Sequence, residues 1–152
     1  MTPVRLTGHS LCSADVAAIA AGAAFELDEA ARQRMAQAAA AYPHEPSVLH
    51  IKRRFLVGEQ AGSSEDPVRS FVLGHCAGVG EPLPSTSVRA LIACRANVLA
   101  SGHSGVRPEL VDALAQMLAA NVIPVVPSQG SVGAAGDLAP LAHLALPLLG
   151  EG

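Results

Sequence analysis

The chain has 152 residues, enough for one domain or for a piece of a larger one. A net charge of −3, 3% aromatic residues and no Trp exclude a phosphate-tracking or base-stacking nucleic-acid surface. Half the residues are hydrophobic and mean hydropathy is +0.35, yet the longest apolar run, 141–150, carries His143 and Pro147 and is too short to cross a bilayer.

Residues 13–22, "SADVAAIAAG", predict a short helix with Ser13 as N-cap and Gly22 as its stop. Residues 27–41 predict a second helix, with acidic residues in the first turn and strong helix formers after them. Two prolines break the pattern in "YPHEPSVLH", 42–50, and 58–67 is a further loop. Residues 68–80 have apolar side chains at helical spacing and end in glycines. Residues 85–102 predict a long helix with an apolar face through Val88, Leu91, Ile92 and Leu99, on which Arg95 snorkels or marks the polar border. Residues 107–122 open with Pro108 in a favoured first-turn place. Residues 122–133 are extended or loop, and 137–150 predict a last helix capped by Asp137, with Pro140 in its first turn. No strand of useful length alternates with period two. The fold class is mainly α.

A chain of this size buries roughly 70% of its surface when it folds alone. So apolar a sequence therefore predicts an exposed apolar face that takes a partner. Lys52-Arg53-Arg54 is the one basic cluster, and it is too short to track phosphates. Cys12, Cys76 and Cys94 are odd in number and lack CxxC spacing, which fits free thiols in a reducing compartment. No basic segment followed by an apolar run opens the chain, so a cytoplasmic location is expected. The close at "LLGEG", where the last helix finishes, points to a truncated chain or a split gene. No His, Cys, Asp or Glu spacing calls for a metal.

"GSVGAAGD", 130–137, is a Gly- and Ala-rich turn into a helix N-terminus. Such turns pack helices closely and can bind anions through free N–H groups. No lysine follows the glycines, so this is not a nucleotide-binding phosphate loop. Ser131, Asp137 and His143 carry the side chains of a hydrolytic triad. Asp137 and His143 lie six residues apart on different faces of one predicted helix, which argues against that use.

"GSVGAAGDLAPLAH" followed by "GEG" resembles the signature of the aromatic amino-acid ammonia-lyases, and most closely the histidine ammonia-lyases. The resemblance continues upstream through "SFVLGHCAGVGEPL", "NVLASGHSGVRPELVDAL" and "IPVVPSQGSVG". It is strong over residues 68–152 and covers the N-terminal part of a family member. It implies the N-terminal portion of a helical, cytoplasmic homotetramer that eliminates ammonia from L-histidine to give urocanate, in histidine catabolism. In the family an Ala-Ser-Gly tripeptide cyclises with loss of two waters. One water takes the serine hydroxyl and leaves an electrophilic methylidene-imidazolone, MIO, so no external cofactor is needed. The tripeptide falls on Ala134, Ala135 and Gly136. Ala135 stands in the serine's place, and a methyl side chain has no β-leaving group, so the MIO cannot form by that route.

Two further positions carry over by resemblance. The family's substrate-selecting pair falls on Gly74-His75, where histidine lyases carry Ser-His, so His75 is implied to hydrogen-bond an imidazole substrate. Gly74 departs from the serine. The family's catalytic tyrosine sits in a Tyr-Gly-x-x-Thr-Gly-Phe-Gly loop, whereas this chain offers "YPHEPSVL". Tyr42 is the only tyrosine, and its loop has lost the glycines, threonine and phenylalanine. A tyrosine acting there as general base needs a pKa well below about 10. Two defects in the chemistry favour divergence or gene decay over a single engineered change. Three roles stay open: a truncated, inactive lyase relative; a binding or oligomerisation subunit, or half of a split lyase; and new chemistry using His75 as acid or base.

Overall fold

The computed structural model describes residues 2–41, 67–133 and 136–152. In chain order these form β1 (Val4–Leu6), α1 (Ser13–Ala20), β2 (Phe25–Leu27), α2 (Glu29–Ala41), α3 (Pro67–His75), β3 (Val79–Pro82), α4 (Ser85–Ala100), α5 (Glu109–Ala119), β4 (Pro127–Gln129) and α6 (Leu138–Ala145). A 3-10 turn over Leu146–Leu149 follows α6. The mainly helical class holds. The chain divides into two units, Met1–Pro43 with Pro84–Ile123, and His44–Leu83 with Pro124–Gly152. Lys52, Arg53, Arg54 and the predicted loops 42–50 and 58–67 lie outside the described residues, except that Pro67, expected to close the second loop, opens α3.

In the first unit, α1 begins one residue away from its predicted cap. Cys12 holds the N-cap position and Ser13 is the first helical residue. The reason lies in Asp15, whose carboxylate reaches back to accept the Cys12 amide at 3.0 Å. That bond holds the Asp15 carboxyl below the ordinary carboxylate range. Asp28 does the corresponding work for α2, accepting the Ala30 and Ala31 amides at 3.0 and 3.3 Å. Between the helices, β1 and β2 pair in parallel, with Val4 opposite Phe25 and Leu6 opposite Leu27.

The core of this unit forms where α1, α2 and α5 meet α4. Ile19, Val88, Ile92, Ala93, Ala96, Val111 and Leu114 are buried there, and alanines let the helix backbones approach closely. The predicted face of α4 is right at Val88, Ile92 and Leu99, while Leu91 and Arg95 are half-buried at its border. Among the described residues the buried cation is Arg89, at 8% exposure. Its Nε donates to the Ile19 carbonyl at 2.9 Å, and its Nη1 reaches the Leu118 carbonyl at 3.5 Å. It thus ties the C-terminal turns of α1 and α5 to α4, where a cation also answers the helix dipoles. Nearer the surface, Arg32 grips Asp112 bidentately at 2.8 and 2.7 Å.

Gly8 is required by close approach. Its φ is +87°, and a Cβ there would lie 2.5 Å from the Ser101 amide nitrogen. Its own amide donates to Asn97 Oδ1 at 3.1 Å.

In the second unit, α3 packs on α6 and on the 3-10 turn. Arg69 Nε donates to Glu151 Oε1 at 3.1 Å and ties the ends together. β3 and β4 form an irregular antiparallel pair, Val79 opposite Gln129 and Pro82 opposite Pro127. Prolines without amides keep that ladder short. The last helix stops at Ala145 instead of running to residue 150. Pro147 has no N–H for the His143 carbonyl, so the chain tightens into the 3-10 turn. Among the described residues of this unit, Val126, Ala142 and Leu144 are buried, whereas Val68, Leu73, Val79, Val125, Val132 and Leu138 are exposed. No helix among the described residues is long and apolar enough to cross a membrane.

Candidate functional site

The site builds outward from the end of α3. His75 is its last residue and is half-buried. Its Nδ1 lies 2.7 Å from the Phe71 carbonyl, one helical turn back. A carbonyl can only accept, so Nδ1 carries the proton. The neutral ring then offers its Nε2 lone pair as an acceptor. Phe71 also holds the ring from the side, with centroids 4.4 Å apart and planes tilted by 44°. Orientation and tautomer are therefore set by the same residue.

Beyond His75 the chain turns tightly into β3. The Cys76 amide donates to the Leu73 carbonyl at 3.1 Å and the Ala77 amide to the His75 carbonyl at 2.8 Å. The Gly78 amide donates to His143 Nε2 on α6 at 3.1 Å. A Cβ on Gly78 would lie 2.9 Å from that nitrogen. All three cysteines are free. Cys76 Sγ donates to the Val72 carbonyl at 3.3 Å, and burial pushes its thiol up from the ordinary range. Cys12 and Cys94 are exposed. Alkylation by iodoacetamide at neutral pH is accordingly expected at Cys12 and Cys94 first, with Cys76 last. Peptide mass mapping over time reads the order, and Cys76 modified first contradicts it.

The signature stretch begins where β4 ends. Gly130 meets Gly78 there, since a Cβ on Gly130 would lie 3.1 Å from the Gly78 Cα. Gly133, Gly136 and Asp137 have φ of +66°, +77° and +56°, so the chain enters α6 through left-handed backbone. Asp137 holds the N-cap position of α6 but makes no side-chain cap bond. Its carboxylate instead accepts the Ser131 hydroxyl, and the Gly133 amide donates to the same Ser131 oxygen at 3.3 Å. Ser131 and Asp137 thus meet across the segment that contains the tripeptide. His143 is not their third member, because its Nε2 is engaged by Gly78. Ala134, Ala135 and Tyr42 lie outside the described residues. Gly136 and His75 are both described and belong to the same unit. Among the described residues no group of three His, Cys, Asp or Glu side chains is placed to hold a metal ion.

Known proteins resemble this chain in sequence and in fold. The family model for aromatic amino acid lyases matches residues 60–152. The chain belongs to the aromatic amino acid lyase family. It is 45% identical to a histidine ammonia-lyase from Anaeromyxobacter sp. (strain K), an alignment covering all of this chain and 32% of that enzyme. Over 84 residues it is 61% identical to the histidine ammonia-lyase of Paracidovorax citrulli, covering 55% of this chain and 16% of that one. Among solved structures, histidine ammonia-lyase from Trypanosoma cruzi superposes with a TM-score of 0.78 at 35% identity, over 99% of this chain and 30% of that chain. Tyrosine aminomutase from Streptomyces globisporus does so at 0.75 and 29% identity, over 99% and 30%. The family member in hand therefore spans about a third of the length of the relatives that match all of it.

Two participants escaped the sequence. His143 shows in the sequence only as a residue of the last predicted helix, because nothing in its spacing tells that it takes a backbone amide 65 positions earlier. Ser131 was visible in the signature, but its bond to Asp137 depends on the left-handed turn between them.

Proposed function

We propose that this chain is the N-terminal, substrate-selecting part of a histidine ammonia-lyase-type protein whose electrophile cannot form. The observation that carries the reading is His75 with its tautomer fixed by Phe71, leaving Nε2 to accept an N–H from an imidazole substrate. The overall similarity to histidine ammonia-lyases supports the same substrate. The residues at the tripeptide do not fit an MIO. Ala135 brings a methyl where a β-hydroxyl has to leave, and no side-chain rotation supplies the missing oxygen. The protein is accordingly catalytically silent as it stands, and it works in the cytoplasm as a helical subunit of a larger assembly.

The second unit favours that last part. It leaves six large apolar side chains exposed among its described residues, and burying them is what a helical partner would offer. The partner class is either the remaining portion of a lyase or a second copy of this chain.

The substrate assignment is tested in an Ala135→Ser background supplied with the rest of the lyase. His75→Leu there is expected to raise KM for histidine by about tenfold, the loss of one hydrogen bond of ~1.4 kcal/mol. An unchanged KM overturns the role given to His75.

A further inference from the structure

His143 closes a three-way backbone crossing. Gly78 lies three residues after His75, and Gly130 opens the signature stretch. Their backbones touch, because a Cβ on Gly130 would stand 3.1 Å from the Gly78 Cα and 3.3 Å from the Ala139 side chain. Gly130 is thus held between Gly78 and the first turn of α6. A Cβ on Gly78 would also lie 3.1 Å from the Pro127 side chain, so β4 closes the other side. Into this crossing α6 sends one polar group, His143 Nε2, which accepts the Gly78 amide at 3.1 Å.

We propose that His143 is a positioning residue: it latches Gly78 onto α6 and thereby sets His75 in register with the signature stretch. The mechanical link is short. The Ala77 amide is bonded to the His75 carbonyl and the Cys76 amide to the Leu73 carbonyl, so displacement of Gly78 is passed to the end of α3. The latch requires a neutral ring protonated on Nδ1, since Nε2 must present a lone pair to an N–H donor. Leucine fills similar space and offers no acceptor. Glutamine offers Oε1. Because packing alone could be satisfied by either, the two replacements separate positioning from filling.

What His75 binds rests on the lyase reading, but the latch is tested without catalysis. On the 15N-labelled full chain, a through-hydrogen-bond coupling is expected between the Gly78 amide nitrogen and His143 Nε2, with the His143 ring in the Nδ1–H form. In His143→Leu the His75 Nδ1–H proton is expected to exchange with water about tenfold faster, and in His143→Gln within about twofold of the parent rate. Absence of the coupling with the ring in the Nε2–H form overturns the proposal, as does equal exchange in the two variants. If His143→Leu does not fold, the coupling and tautomer in the unsubstituted chain decide. A coupling that is present while the His75 and Ala135 tests fail leaves the latch standing and removes the lyase reading.

Discussion

Ala135→Ser, co-expressed with the remaining portion of a histidine ammonia-lyase, is expected to form urocanate at least ~10³-fold faster than the unsubstituted pair. The Anaeromyxobacter enzyme is a suitable donor, being 45% identical over the part this chain supplies. The size of the effect follows from what is missing. Replacing a catalytic side chain with a weaker one leaves partial function, whereas Ala135 lacks the hydroxyl that the methylidene-forming dehydration must expel. The positioning proposed for His75 would lower a barrier only with an electrophile present for the substrate to attack. Ultraviolet absorbance of urocanate gives the rate. Urocanate formed by the alanine protein at the serine variant's rate contradicts the proposal that the missing hydroxyl silences the protein. If the serine variant is also silent, a second defect lies elsewhere, and the altered loop around Tyr42 is where the sequence places it.

Arg89→Ala is expected to lower stability by ~2–4 kcal/mol, moving the thermal midpoint down by roughly 5–15 °C. The lost bonds are to the Ile19 and Leu118 carbonyls. Those oxygens are not left bare, since the Gly22 amide donates to Ile19 and the Asn121 amide to Leu118. The cost therefore comes from losing charge-assisted bonds at two helix ends and from the space vacated by the arginine stem. Arg89→Lys is expected to recover less than half, because an ammonium lacks the planar fork that serves two carbonyls at once. Calorimetric or circular-dichroism melting checks both variants. A midpoint within about 2 °C of the parent for the alanine variant contradicts a structural role.

How far the sequence revealed this molecule varies by element. Helix positions were legible because alanine, leucine and apolar spacing make helices whatever surrounds them. Cap identities were not. Ser13 is the better cap by type, yet Asp15 reaching back to the Cys12 amide moved the start by one residue. Asp137 does hold the N-cap position, but with left-handed backbone and a carboxylate bonded to Ser131 in place of a helix amide. The short strands escaped because ladders of three or four residues carry no alternation to detect. On α4, Arg95 drew attention at the border of the apolar stripe while Arg89 took the buried place. Which arginine goes inside depends on the carbonyls that α1 and α5 present, and these are arranged by tertiary packing. For the proposed site, the family signature is what points to His75 and to the tripeptide positions. The setting of His75 and Gly78 was not legible, because the contacts of Gly130 and His143 are made in space across separate elements.

The central claim is that this lyase-family chain carries no MIO, and the intact mass of the purified polypeptide tests it most directly. The expected value is the mass of the unmodified 152-residue sequence. A mass lower by two waters, with the deficit mapped to the peptide containing Ala134, Ala135 and Gly136, would contradict it.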